Sequence, residues 1–154
     1  MNLTVLKHSI SEALNRVAIN KQRIQIGTTQ TNVNNVSDQY LGMVDLEDSA
    51  FHDIVLEVKI VQASGSDESA NDFTLYWAFC TEQISNPSAN APVQLQPVEY
   101  SLVCDLVDAT AGATTRYYQS SVIQPKARYL YVWYDCDSLT NALSSVDVYL
   151  SIIT

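Results

Sequence analysis

Few side chains in this sequence have the types and spacing that chemistry requires. His8 and His52 are its two histidines, and no nucleophile elbow or phosphate-binding glycine loop occurs anywhere in the chain. The three cysteines, Cys80, Cys104 and Cys136, lie far apart without a C-x-x-C pair, so they match neither a disulfide framework nor a zinc site. The sequence therefore predicts no catalytic residue, no metal ligand and no cofactor, and we expect that the protein is not an enzyme.

Acidic residues form three small groups that we considered as cation ligands. Oxygen-rich loops at the ends of a β-sandwich can hold calcium, but the spacing here matches no EF-hand loop. We therefore favour solvated surface charge over calcium binding. The three groups are Asp45, Glu47 and Asp48; Asp67, Glu68 and Asp72; and Asp135 with Asp137.

Aromatic side chains offer the clearest candidate for a binding surface. Tyr129, Tyr131 and Trp133 alternate along one predicted strand and fall on the face opposite the core-like residues Leu130 and Val132. A strand buried on both faces, a subunit interface and a sugar-stacking platform would each explain this pattern. Because tyrosine and tryptophan are enriched at protein interfaces, we favour the subunit interface.

The elements that must position these residues follow a hydrophobic period of two, which is typical of β-strands. We found no long helical pattern after residue 20, and turn-forming stretches such as Thr31–Asp38 separate the strands. The sequence predicts an all-β protein, an antiparallel β-sandwich or jelly roll of about seven or eight strands. The clear strands are 54–61, 73–80, 129–136 and 146–153, and the weaker ones lie near Arg23–Thr29, Tyr40–Leu46, Val98–Cys104 and Tyr117–Ile123.

Charge divides the chain into two parts. Residues 1–23 carry four basic residues against Glu12, a net charge of +3, whereas residues 24–154 carry four basic and 16 acidic residues, a net charge of −12. Ser9 and Glu12 have the spacing of a capping box, which predicts a short amphipathic helix over Ser9–Ile19. We therefore expect a basic N-terminal arm or helix at 1–23 and a single sandwich domain at 24–154.

The overall net charge of −9 disfavours nucleic acid and anionic membranes as partners. No apolar run reaches the length of a membrane span, and no secretory signal pattern is visible. Unpaired cysteines in strand-like runs fit assembly in a reducing cytoplasm.

The order of features resembles that of a known class of proteins. An acidic loop leads into "DFTLYWAFCTEQ" (Asp72–Gln83), and a loop with two prolines precedes "QPKARYLYVWYDCDS" (Gln124–Ser138) and the terminal "SVDVYLSIIT" (Ser145–Thr154). This order, over roughly residues 50–154, resembles small β-sandwich structural proteins of tailed bacteriophages, of the kind that decorate or cement capsids.

The resemblance implies a non-enzymatic virion protein, assembled in the host cytoplasm, that binds the major capsid protein on the outer capsid surface. It also implies a homo-oligomer, with a trimer favoured over a dimer, and an interface that would include Tyr129, Tyr131 and Trp133. A carbohydrate- or receptor-binding module and a neck or tail component are the alternatives. The expected capsid-binding residues lie in the arm: Lys7, Ile10, Leu14, Arg16, Val17, Lys21 and Arg23.

Overall fold

The computed structural model describes residues 23–47, 52–87 and 100–153, and these form nine β-strands with no α-helix among them. The all-β prediction is therefore confirmed, while the predicted helix at Ser9–Ile19 lies outside the described residues. The strands are β1 (Arg23–Gln25), β2 (Gln30–Val33), β3 (Val36–Asp45), β4 (Asp53–Gln62), β5 (Asp72–Cys80), β6 (Tyr100–Asp105), β7 (Thr114–Gln119), β8 (Tyr129–Cys136) and β9 (Leu143–Ile153).

Strand pairing in this protein is nested. β5 pairs with β6, β4 with β7, β3 with β8 and β2 with β9, and every pair is antiparallel. The chain thus forms one long antiparallel ribbon that wraps over itself. Two further pairs, β4–β9 and β5–β8, close this ribbon into two sheets. Sheet A has the order β1-β9-β4-β7 with β2 also on β9, and sheet B has the order β3-β8-β5-β6. This connectivity is that of a jelly roll, which is one of the two all-β architectures that the sequence predicts.

The predicted turn at Thr31–Asp38 is wrong, because this stretch contains most of β2 and the start of β3. Asn32 and Asp38 have φ values of 52° and 51°, in the left-handed region that asparagine and aspartate tolerate. The pairing of β3 with β8 shifts register between Val36 and Gln39, which is the mark of a β-bulge. Residues typical of turns therefore serve here as irregularities within strands.

One hydrophobic core fills the space between the two sheets. β4 contributes Ile54, Leu56, Val58 and Ile60, and all four are fully buried. Alternate residues of β5, β8 and β9 join the same cluster, including Phe73. Each such aliphatic side chain contributes about 1.5–3 kcal/mol through burial, so the period-two pattern of the sequence is what stabilises the sandwich.

Candidate functional site

Strand direction gives the sandwich two chemically different ends. Arg23 at the start of β1 pairs with Ser151, and Asp53 at the start of β4 pairs with Ile153, so these residues lie together at what we call the β1 end. The opposite end, which we call the acidic end, gathers eight acidic residues, against Arg116 as its one cation among the described residues. The eight are Asp38, Asp67, Glu68, Asp72, Asp105, Asp108, Asp135 and Asp137.

Glu68 holds the loops of the acidic end together. Its side chain is fully buried, and its carboxylate accepts hydrogen bonds from the backbone N–H groups of Thr140 (3.0 Å) and Asn141 (2.7 Å). The Asn71 side chain donates a third bond of 2.7 Å. The expectation of solvated surface charge is therefore wrong for Glu68, because this carboxylate links the loop before β5 to the loop before β9.

Three other acids of this end, Asp72, Asp135 and Asp137, line an open groove of about 310 Å³ together with Tyr76. Partial burial, Asp137 and Asp38 raise the pKa of Asp135, since each disfavours its charged form. Burial and the same carboxylates also raise the pKa of Tyr76. The described residues contain no group of three or more His, Cys, Asp or Glu side chains placed to hold a metal ion.

Arg23 is the one predicted capsid-binding residue that the structure describes, and it belongs to the sandwich. Its Nε lies 2.7 Å from a carboxylate oxygen of Glu57, and its Cζ lies 3.5 Å above the ring centroid of Tyr149. The other six predicted residues, Lys7 to Lys21, lie outside the described residues. The assignment of all seven residues to capsid binding, and the division of the chain at residue 23, stay predictions.

Two exposed apolar side chains accompany Arg23 at the β1 end. Ile153 is the last residue of β9, and Val122 precedes Ile123, which forms a bridge with Ile54 next to the start of β4. Val122 is 57% exposed and Ile153 is 40% exposed. The β1 end thus combines surface apolar groups with the attachment point of the basic N-terminal residues.

The aromatic face of β8 is buried within the chain. Tyr131 and Trp133 retain 1% and 0% of their exposure, and Trp133 packs against Tyr131 and Tyr40 at centroid distances of 6.1 and 6.0 Å. The backbone N–H of Ile84 donates to the Tyr131 hydroxyl over 2.7 Å, so the loop after β5 covers this cluster. Of the three explanations for this face, the structure shows a strand buried on both sides.

A sugar-stacking platform needs an exposed ring face, and neither Tyr131 nor Trp133 offers one. The subunit-interface prediction for Tyr129, Tyr131 and Trp133 stays a prediction, and Tyr129 is the member with exposed side-chain surface. It lies next to Arg128, whose guanidinium forms a paired contact of 2.7 Å through both Nε and Nη2 with Asp45.

The three cysteines are free, as their spacing predicts. Burial raises the pKa of Cys104 and of Cys136 to about 12, so both thiols stay protonated at neutral pH. A protonated thiol is a poor nucleophile. Both side chains instead pack in the core between the sheets.

Comparison with known proteins finds a structural likeness to solved structures. No known family profile and no curated protein sequence matches it. The chain is similar to one from an expanded picornavirus capsid of equine rhinitis A virus, at 14% identity and a TM-score of 0.41, over 88% of this chain and 74% of that one.

Two further likenesses are of the same order. A chain of rhinovirus-B5 has 12% identity and a TM-score of 0.42, with coverage of 88% and 73%. A disulfide-linked pilus of Bacillus endospore appendages has 7% identity and a TM-score of 0.35, with coverage of 87% and 91%. At TM-scores below 0.5, none of these likenesses assigns a function. Within the described residues, no helix has the length and apolarity needed to cross a membrane.

Proposed function

We propose that this chain is a non-enzymatic structural protein of a virus particle that decorates the outer surface of the capsid. The observation that carries the proposal is the polarity of the sandwich. The acidic end carries eight acidic residues against one basic residue, whereas the described part of the β1 end carries five acidic residues against three basic ones. The basic residues before Arg23 precede the β1 end in the sequence. A protein with this polarity can stand on its β1 end and present its acidic end to solvent, where like charges keep particles apart.

The contact with the capsid would combine charge and apolar area. Lys7, Arg16 and Lys21 would supply positive charge, and Val122 and Ile153 would supply exposed apolar side chains at the β1 end. Charge steers the encounter with an acidic capsid groove, and apolar burial holds the complex. The partner of this interaction is the major capsid protein.

Stabilisation of the shell would then follow from mass action. A protein that binds the assembled shell but not its separated subunits lowers the free energy of the shell at every occupied site. At a free concentration of about 100 times Kd, this amounts to about 2.7 kcal/mol per site. A homo-oligomer, for which we favour a trimer, would add to this by linking several sites at once.

Mass spectrometry of purified virus particles tests the proposal first, since a decoration protein must be present in many copies. Particles stripped of the protein are then mixed with the full chain or with a variant that lacks residues 1–22, and binding is measured by co-sedimentation. We expect the full chain to bind and the truncated chain to lose at least 90% of this binding, because three of the four basic residues of the arm and its apolar stripe are removed.

Residues 23–154 include all nine strands, so circular dichroism of the truncated protein should match that of the full chain. Two results contradict the proposal: absence of the chain from purified particles, or undiminished binding by a folded protein without residues 1–22. Size-exclusion chromatography of the full chain with light scattering gives the oligomer number.

A further inference from the structure

The outer face of sheet A carries a groove that the sequence analysis did not single out. Its volume is about 330 Å³, and Arg23, Glu57, Tyr117 and Gln119 line it together with the half-buried Tyr118. We call it the tyrosine groove. Glu57 stands directly opposite Gln119 on β7 and opposite Tyr149 on β9, so side chains from three neighbouring strands share one row.

Tyr117 is the most exposed large apolar residue of the described chain, with 70% of its surface accessible. It lies on the same sheet face as Glu57 and Gln119, because it pairs with Lys59, two residues along β4 from Glu57. Its ring therefore forms one wall of the tyrosine groove, with polar side chains beside it.

The two charged side chains of the tyrosine groove, Arg23 and Glu57, are held in place and carry no net charge together. The ion pair of 2.7 Å between Arg23 Nε and Glu57 cancels both charges, and stacking on Tyr149 at 3.5 Å orients the guanidinium. A guanidinium has five N–H donors, of which this ion pair uses the one on Nε, and the Gln119 amide offers both a donor and an acceptor. The groove thus combines an apolar ring with oriented donors and acceptors.

This chemistry suits a neutral polyol better than a protein or an anion. A sugar has apolar C–H faces that stack on an aromatic ring, and vicinal hydroxyls that both donate and accept hydrogen bonds. An anionic ligand would compete with Glu57 for Arg23. A stable protein partner needs about 800 Å² of surface on each side. The exposed large apolar side chains on the outer face of sheet A are Tyr117 and Ile153 among the described residues, and Val103 lies on sheet B.

We propose that the tyrosine groove binds a neutral saccharide of one or two pyranose rings. A volume of about 330 Å³ is at the lower end of small-molecule sites, which limits the bound part of a longer glycan to about this size. Tyr117 stacks on the sugar ring, while Gln119, Arg23 and Glu57 bond its hydroxyls. Because these residues stand on paired strands, the backbone of the site is in place before the ligand arrives. Arg23 also belongs to the predicted capsid-binding residues, but the test below uses saccharides and no virus particle, so the two proposals can fail separately.

The full-length protein is applied to an array of immobilised mono- to tetrasaccharides built from neutral hexoses, N-acetylhexosamines and deoxyhexoses. The strongest binder is then titrated by calorimetry. We expect at least one saccharide to bind, and Tyr117→Ala to weaken that binding about tenfold or more through loss of ring stacking. Tyr117→Trp should retain binding, and Gln119→Ala should weaken it.

Val103→Ala is the matched control, since Val103 is an exposed residue on an edge strand of the other sheet. It should leave the saccharide affinity unchanged, and thermal melting shows whether each variant is folded. The proposal is overturned if the wild-type protein binds no saccharide on the array. It is also overturned if Tyr117→Ala binds the saccharide as well as the control Val103→Ala does. A change of oligomeric state in Tyr117→Ala would also overturn it, because the groove would then be an interface between copies.

Discussion

At the scale of single residues, the acidic end depends on one buried carboxylate. Glu68 accepts three hydrogen bonds, two of them from the backbone N–H groups of Thr140 and Asn141. Hydrogen bonds to a charged acceptor contribute more than bonds between neutral groups, and Glu68→Ala removes all three together with a buried side chain. Its neighbour in sequence, Asp67, is exposed and bonds Ser69 within its own turn.

We therefore expect Glu68→Ala to lower the free energy of unfolding by about 2–4 kcal/mol, as measured by urea denaturation. Glu68→Gln keeps the shape but turns an N–H₂ group toward backbone donors, so it should fall between the wild type and Glu68→Ala. The exposed Glu82 provides the control, and Glu82→Ala should change stability by less than about 0.5 kcal/mol. Equal effects at the two positions would show that the Glu68 bonds contribute nothing.

Asp135 has the opposite effect on stability. Its Oδ1 is buried and has no hydrogen-bond partner in the described structure, and Asp137 and Asp38 help to raise its pKa. A carboxyl whose pKa is raised by folding binds its proton more tightly in the folded state, so it destabilises the fold at pH values above its folded pKa. This cost disappears as the pH falls through the folded pKa toward the ordinary value of 3.8.

Asp135→Asn should therefore raise the melting temperature at pH 7, and the gain should shrink to nothing below about pH 4. Thermal melts of the wild type and the variant across this range measure the difference. A gain that does not depend on pH would mean that packing and not charge is responsible.

At the scale of elements, the first strand of the jelly roll is split by a glycine. β1 and β2 both pair with β9, and Gly27 lies between them with a φ of +66°. A Cβ added at this glycine would lie 2.4 Å from the carbonyl oxygen of Leu41 on β3. Backbone conformation and close approach therefore both require glycine at the point where sheet A meets sheet B.

Gly27→Ala should lower the free energy of unfolding by at least about 2 kcal/mol, since it adds left-handed strain to a steric clash with backbone. Gly112→Ala is the matched control, because a Cβ there has open space and its φ lies outside the left-handed region. It should be neutral or stabilising by up to about 1 kcal/mol. Urea denaturation of both variants gives the comparison, and a neutral Gly27→Ala would show that β1 and β2 can shift freely.

At the scale of the whole molecule, nested pairing makes nearly every strand contact distant in sequence. Gln30 pairs with Val146, and Val36 pairs with Cys136, so most of the chain must be in place before the outer pairs form. Folds dominated by such contacts are slow to form, because the entropy of loop closure is lost before the contacts stabilise the chain.

We expect the protein to refold in milliseconds to seconds. Stopped-flow fluorescence of the two tryptophans, Trp77 and Trp133, measures this rate, because both side chains are buried in the folded state. A complete native signal within microseconds would contradict the nested order of assembly.

Local patterns in the sequence were sufficient to predict the fold class and most of the strands of this protein. Alternation in 54–61, 73–80, 129–136 and 146–153 predicted β4, β5, β8 and β9 because a strand places successive side chains on opposite faces of a sheet. Weaker alternation predicted β1, most of β6 and parts of β3 and β7. The turn residue Asn32 concealed β2, and Asp38 concealed the start of β3. The wide spacing of the three cysteines predicted free thiols, because spacing is read directly from the sequence.

Only the tertiary structure decided what each face of a strand meets. The aromatic face of β8 has one sequence pattern whether it is core or interface, and the loop after β5 places Tyr131 and Trp133 inside the chain. In the sequence, Glu68 cannot be told apart from its exposed neighbour Asp67, because its hydrogen-bond donors come from the distant loop before β9. Likewise, Tyr117 lies near Glu57 only because β4 pairs with β7. Burial, ion pairing and the tyrosine groove depend on residues far apart in the chain, and local periodicity carries no information about them.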